Sequence, residues 1–302
     1  MDLDFVRIEC EISAEIPFPL TAALYNGLQN FEEQFKTLCC LSGQEQCTSC
    51  SLQAGCPYRN VFNQTLSSDP EIVKLHQKPS LPFSSYINDM DGYTSSCTVG
   101  MVVIGTAVNF VEYFHTALLR TVEAAVSTVL TPAAYTVRSY SLDYQGIRHQ
   151  IAPAECLLGG VVLLSGQHIL KNTVNSDFVR LSLISPLRLL SNGSIAHRFD
   201  FGTFFRSQLR RCSSIFSYYG TGELELDFAL LSKAAQKIAV LDDKTRYSQP
   251  PWTKRLNRAG LTGTVECTGL IEPMYSLLLL GSFFNAGKGA AFGSGFHQLE
   301  VL

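Results

Sequence analysis

The final stretch, Leu277–Leu302 (LLLLGSFFNAGKGAAFGSGFHQLEVL), constrains the chain more than any other. An apolar run leads into Gly281, Gly287, Gly289, Gly293 and Gly295, five glycines in fifteen residues with one charge among them, Lys288. Glycine permits positive φ and close backbone approach at an entropic cost. So dense a run predicts a loop that lies against something, followed by a strand over Phe296–Leu302. Bare N–H groups in such loops form anion-binding nests, so phosphate is the expected ligand and Lys288 the expected contact.

Two common phosphate motifs do not fit. A P-loop needs four residues between its first glycine and Gly-Lys, then Ser or Thr. Five separate Gly281 from Gly287, and Gly289 stands where the hydroxyl belongs. A dinucleotide fingerprint needs two residues between its second and third glycines; three separate Gly289 from Gly293, and no βαβ unit follows. A nucleotide hydrolase is therefore not the reading.

With 46% hydrophobic and 16% charged residues, the 302-residue chain has ample material for one large or two smaller cores. Its opening alternates like a strand and lacks the basic and apolar regions of a signal peptide. No stretch reads as a membrane span, so a cytoplasmic protein is expected. The net charge of −3 hides an asymmetry. Residues 1–165 hold 8 Lys/Arg against 16 Asp/Glu, whereas residues 166–302 hold 15 against 10. The glycine loop lies in the basic half, which can carry a local positive field.

Apolar periodicity predicts a strand at Phe5–Glu11 and one helix over Leu20–Lys36. Cys39, Cys40, Cys47, Cys50 and Cys56 follow. Cys40, Cys47, Cys50 and Cys56 supply four thiolates, the number a closed tetrahedral zinc site needs, with the central C-x2-C at the usual spacing. Such a structural zinc would pin a loop; free or disulfide-linked cysteines are the alternative. Ser67–Ser85 reads as an extended surface segment. A β-rich run at Thr98–Phe110, a helix over Val111–Val126 and a strand at Arg138–Tyr144 complete a split βαβ pattern, which is ferredoxin-like. A polar stretch near Gly166–Asn175 divides the chain into expected domains 1–170 and 171–302. The second repeats the grammar: strand Phe178–Leu183, a turn at Ser185-Pro186, helices Phe201–Ser217 and Phe228–Ala239, strand Gly260–Cys267, helix Met274–Phe284 and the last strand.

Over residues 178–302 the succession Val179-Arg-Leu-Ser-Leu-Ile-Ser-Pro-Leu-Arg-Leu, Arg206-Ser-Gln-Leu-Arg-Arg, Arg246-Tyr-Ser and Gly260-Leu-Thr-Gly-Thr-Val resembles the CRISPR-associated endoribonucleases of the RAMP superfamily. Gly287-Lys-Gly289-Ala-Ala-Phe-Gly293-Ser-Gly295 is similar to that superfamily's G-x-G-x3-G-x-G loop, and Cys56-Pro57-Tyr58 with Val61-Phe62 is similar to one branch. The resemblance implies an α+β chain of two tandem ferredoxin-like (RAMP, or RRM-like) domains, with the cysteine-rich insertion 39–56 in the first. It implies CRISPR repeat RNA as partner, held along a basic face between or across the domains, and other CRISPR effector subunits as further partners. It also implies metal-independent cleavage of precursor crRNA by 2′-OH attack, giving a 2′,3′-cyclic phosphate and a 5′-OH. The alternative is a catalytically silent subunit that binds the repeat handle within an effector complex. Asn285 favours that alternative, because it stands where the nearest branch has His and an amide transfers no proton near neutral pH.

The expected catalytic residues are His149, beside Arg148, together with Tyr25 of the first helix and Lys288. His297 is expected to pack in the core, since on a strand it shares a face with Leu299 and Val301. The expected RNA contacts are Lys288 with Gly287 and Gly289, the helical Arg206, Arg210 and Arg211, and Lys254, Arg255 and Arg258 after Trp252. No acid occurs from Lys244 to Val265, and cations near an aromatic suit backbone neutralisation and base stacking.

Overall fold

Strand β1 (Asp4–Phe18) alternates throughout. Val6, Ile8, Cys10 and Ile12 are buried on one face, while Phe5, Arg7, Glu9 and Glu11 take the other, as a two-residue period requires. A computed structural model describes residues 3–41, 47, 50–53, 55–88, 94–151, 160–172, 176–191, 193–221, 226–249 and 258–302. In it β1 is central to an antiparallel sheet ordered β2-β3-β1-β4-β5. The other strands are β2 (Phe83–Asn88), β3 (Thr94–Ile104), β4 (Tyr135–Leu142) and β5 (Arg148–Gln150). The short β6 (Leu163–Ser165) also pairs with β1.

Helices α1 (Thr21–Gln29), α2 (Phe31–Cys39) and α5 (Val111–Val126) cover the Val6–Ile12 face. The single helix expected over Leu20–Lys36 is two. At Asn30 the backbone (φ −97°, ψ 4°) leaves helical geometry, yet Leu24, Leu28, Phe31 and Phe35 all stay buried. The 67–85 segment is not simply extended either: it holds α4 (Pro70–Leu75), whose Asp69 cap accepts from Glu71 N at 2.9 Å, and the start of β2. Before it, α3 (Pro57–Phe62) follows the cysteines. Thr98–Phe110 is strand only to Ile104 and then turns as a 3-10 helix, Gly105–Phe110.

Helix α6 (Gly166–Asn172) leads to the second sheet, ordered β10-β12-β7-β13 and antiparallel, with β11 also on β12. Its strands are β7 (Phe178–Leu187), β10 (Ala239–Asp243), β11 (Arg246–Ser248), β12 (Gly260–Thr268) and β13 (His297–Val301), with a small hairpin of β8 (Leu190–Ser191) and β9 (Ser194–Ile195) beside it. The turn expected at Ser185-Pro186 is continued strand. Pro186 is tolerated there because β13 stops pairing at Leu183, so its missing N–H interrupts no ladder on that side. Helices α7 (Phe201–Tyr219), α8 (Phe228–Ala235) and α9 (Glu272–Phe284) complete this half. The helix expected to reach Ala239 ends at Ala235, and β10 begins where it was to finish. Both sheets have the order of a split βαβ unit, so the chain is two ferredoxin-like domains.

The domains share a core. Phe5, Tyr86, Val102 and Ile104 of the first sheet join Phe204, Leu277 and Phe284 of the second domain. The Phe5 ring lies 5.1 Å from Phe283 and 5.8 Å from Phe284. At ~1.5–3 kcal/mol per buried large apolar side chain, this seam holds strongly. The seam between the two sheets is filled with apolar side chains.

The exit of the insertion is strapped across α7. Gln64 Nε2 donates to Tyr219 Oη at 2.6 Å, Ser67 N to Tyr218 Oη at 3.3 Å, and Ser80 N to Ser214 Oγ at 2.8 Å. This strap ends beside the basic end of α7.

Candidate nucleic-acid interface

Helix α7 starts where the Asp200 carboxylate accepts from Thr203 N at 2.7 Å. At 3.6 residues per turn, Phe204, Phe205, Gln208, Leu209 and Cys212 fall inward and are buried. Thr203, Arg206, Ser207, Arg210 and Arg211 line the opposite side, a cleft of about 580 Å³. Its other walls are Lys78 and Ser80 from the strap, Arg188 after β7, and Gly287 and Lys288 of the glycine loop. Six cations thus face one cleft. Among the described residues no carboxylate lines it and none of the six is ion-paired. Burial pushes the Arg211 guanidinium down to about 10 and lowers that of Arg188. Arg206 leans on Thr203 Oγ1 at 3.0 Å, while Arg210 and Lys288 are exposed. Such a surface neutralises a phosphate backbone and reads no sequence by itself.

The glycine loop does something other than expected. Its amides are largely spent inside the protein: Gly287 N on Ser207 Oγ (3.1 Å), Lys288 N on Arg188 O (2.9 Å), Gly295 N on Pro186 O (3.1 Å). Its carbonyls are answered by the first domain, with Tyr25 Oη donating to Gly293 O at 2.7 Å and Ser85 Oγ to Ala291 O at 2.9 Å. The loop is thus a joint between the domains, not an anion nest. Positive φ is needed at Gly287 (77°), where a Cβ would also meet Arg188 O at 2.6 Å. Gly289 does not line the cleft; of the loop, Gly287 and Lys288 do.

Asn285 belongs to the same joint. It is buried, takes φ 58° at the end of α9, and donates Nδ2–H to Ser85 O (2.7 Å) and Ala290 O (3.0 Å). Its side chain faces the interior.

The expected catalytic set does not assemble. Tyr25 is buried behind the loop, its hydroxyl held on Gly293 O and raised above the usual phenol range by burial. His149 sits on β5, paired with Asp143 at 3.1 Å. That strand is four places from β2, the strand against the loop, or roughly 19 Å at the usual inter-strand spacing. Arg258 lies over the Tyr25 ring, 5.8 Å from its centre, on the buried side of the loop. Lys254 and Arg255 fall outside the described residues. Arg206, Arg210, Arg211, Gly287 and Lys288 do come together as the sequence implies. Lys78 and Arg188 were missed. Arg188 lies beyond the turn expected at Ser185-Pro186 and is placed by the continuation of β7 to Leu187; Lys78 arrives through the strap, which no local pattern announces. His297 is a core residue as expected, on Gln208 at 2.9 Å, with burial pushing its pKa down to about 4.

Cys40, Cys47, Cys50 and Cys56 border one cleft of about 510 Å³ together with Cys39. Cys39 is occupied, its thiol donating to Phe35 O at 3.1 Å. Among the described residues no three His, Cys, Asp or Glu side chains are placed to hold one ion. The four thiols share a cleft without forming a closed tetrahedral site in this arrangement.

A family described as CRISPR-associated endoribonuclease Cas6 matches residues 181–296, which span the basic side of α7 and the glycine loop. Over that stretch the chain is similar to the Cas6 family. A second family, described as an N-terminal domain, matches residues 4–132. A Cas6 of Thermus thermophilus has this fold over 99% of each chain, with TM-score 0.55 at 14% identity. A Cas6 solved as a product complex gives TM-score 0.51 at 13% identity, over 99% of this chain and 100% of that one. A chain of a Cas6-RT-Cas1–Cas2 complex gives 0.56 at 12% identity, over 99% of this chain and 46% of that one. At such identities the likeness to these Cas6 structures is one of fold. No curated protein matches the chain in sequence.

Proposed function

We propose that the chain binds CRISPR repeat RNA along the α7 cleft and takes part in processing precursor crRNA. One observation carries this: six cations from four separate segments converge on one cleft, and no carboxylate among the described residues lines it. Like charges stay together at a cost, and a bound polyanion relieves it.

The reaction proposed is metal-independent. The 2′-OH gives up its proton, its oxygen bonds to the adjacent phosphorus, and the P–O5′ bond breaks as O5′ takes up a proton. The products are a 2′,3′-cyclic phosphate and a 5′-OH. Lys288, with Arg206 and Arg210, supplies positive charge where the phosphorane gains negative charge. Tyr25 acts by holding the Gly293 carbonyl, and so the loop that presents Lys288.

A second reading is favoured by the absence of histidine among the residues lining the cleft. It has the protein bind the repeat and keep it uncut, as a subunit beside other CRISPR proteins; one Cas6 fold above is part of an assembly with Cas1 and Cas2. Incubation with its own repeat RNA in EDTA separates the two. Cyclic-phosphate ends establish the enzyme, and tight binding without cutting establishes the subunit. Failure to bind would sink both.

A structural zinc is proposed for Cys40, Cys47, Cys50 and Cys56, whose thiols already share a cleft. Binding would draw the four together, pinning the insertion. Purified protein should then hold about one zinc per chain; folded, metal-free protein overturns it.

A further inference from the structure

Arg211 is a cation that the protein itself only half answers. Its Nε–H donates to Phe284 O at 2.6 Å and its Nη2 to Phe83 O at 2.8 Å. Phe284 ends α9 of the second domain, and Phe83 begins β2 of the first. One guanidinium from α7 therefore stitches the two domains together.

A guanidinium has five N–H donors and keeps its charge. Here two donors meet neutral carbonyls. The remaining donors have no protein acceptor among the described residues, and the residue lines the α7 cleft. No carboxylate acts on it; burial depresses its pKa, opposed only by the neighbouring Cys212 thiol. A half-buried charge without a counter-charge gives up part of its hydration with no ion pair in return. Arg206, Arg210 and Lys288 on the same cleft add repulsion. Two arginines elsewhere in the fold do have carboxylates: Arg148 has Glu9 and Glu11, and Arg180 has Glu266 and Glu300.

We propose that one phosphate group of a bound strand seats against Arg211, supplies its missing counter-charge, and thereby locks α7 of the second domain to β2 of the first. The cleft is then an anion-dependent joint as well as an RNA site. This rests on the RNA-binding reading of the same cleft and adds a coupling between occupancy and the domain seam. The recognised chemistry is a phosphate oxygen pair, from an RNA backbone or from free phosphate.

Thermal unfolding tests it, with inorganic phosphate, chloride at matched ionic strength, and repeat RNA as three arms. Phosphate at about 100 times its Kd should raise the Tm by roughly 5 °C, and chloride should not. In Arg211→Met the phosphate shift should vanish; in Arg211→Lys it should persist in reduced form, and in Arg206→Ala it should shrink. Hydrogen exchange on the wild-type protein needs no variant to fold. Phosphate should slow the amides of Ser84–Ile87 and of Phe284–Ala286 together, ahead of the exposed edge strand β10. No phosphate shift, an undiminished shift in Arg211→Met, or protection confined to one domain overturns the coupling even if RNA binds. If RNA itself does not bind, the reading beneath it falls instead.

Discussion

Two polar faces of this molecule carry arginines, and they treat them in opposite ways. On the Glu9 face of the first sheet, Arg148 donates to Glu9 at 2.9 Å, Glu11 at 2.7 Å and Thr98 Oγ1 at 3.1 Å, while Tyr86 Oη donates to Glu9 at 2.8 Å. Glu9 and Glu11 both have partners there. The α7 cleft leaves six cations to one another. In RRM-type folds the open sheet face stacks bases on aromatics. Here that face carries its own ion pairs and the second domain packs on Phe5, Tyr86 and Val102, while the cations without carboxylates among the described residues lie along a helix. Charge count would not have told these faces apart; pairing does.

The contrast can be broken by reversing the cleft. Arg206→Glu with Arg210→Glu should weaken repeat-RNA binding about a thousandfold in filter binding, since two phosphate contacts become repulsions. Affinity unchanged within threefold would place the RNA elsewhere. The inward side of α7 sharpens the contrast by excluding charge altogether. His297 is neutral when folded, with its pKa depressed to about 4 from an ordinary value near 6.5. Its contribution is therefore complete above pH 6.5 and lost as pH falls towards 4. Denaturant unfolding should show a loss on the order of 3 kcal/mol across that window, flattened in His297→Gln.

On the sheet face, Arg148→Ala should cost stability, about 2 kcal/mol, because Glu9 remains buried without its cation. Repeat-RNA affinity should stay within twofold, and a large loss would make that face part of the interface. Lys288→Ala should act in the opposite sense, leaving the Tm nearly unchanged and weakening RNA about tenfold. The slope of log K against log salt should fall by roughly 0.7, one single-strand phosphate contact.

Much of the fold was legible in the sequence, for a physical reason. Strands β1, β7 and β12 and helices α5 and α7 each bury one face, so their apolar residues recur at fixed periods. What escaped was set by neighbours distant in sequence. Pro186 reads as a turn until β13 is seen to stop short of it. The glycines read as a phosphate cradle because glycine marks close approach without saying to what. The partner is the protein's own first domain, through Tyr25 and Ser85. In the same way Arg206 and Arg210 were visible as a helical pair, whereas Lys78 enters their cleft from over a hundred residues earlier.

The strap across α7 bears on how such a chain can be taken apart. Gln64 Nε2 and the backbone N–H groups of Ser67 and Ser80 are held by Tyr219, Tyr218 and Ser214, so the second half carries on its helix a seat for the first half's 64–80 strap. A hybrid that joins this second half to another relative's first half would leave those three side chains facing a stranger. The halves are a matched pair, to be inherited, transplanted or engineered together.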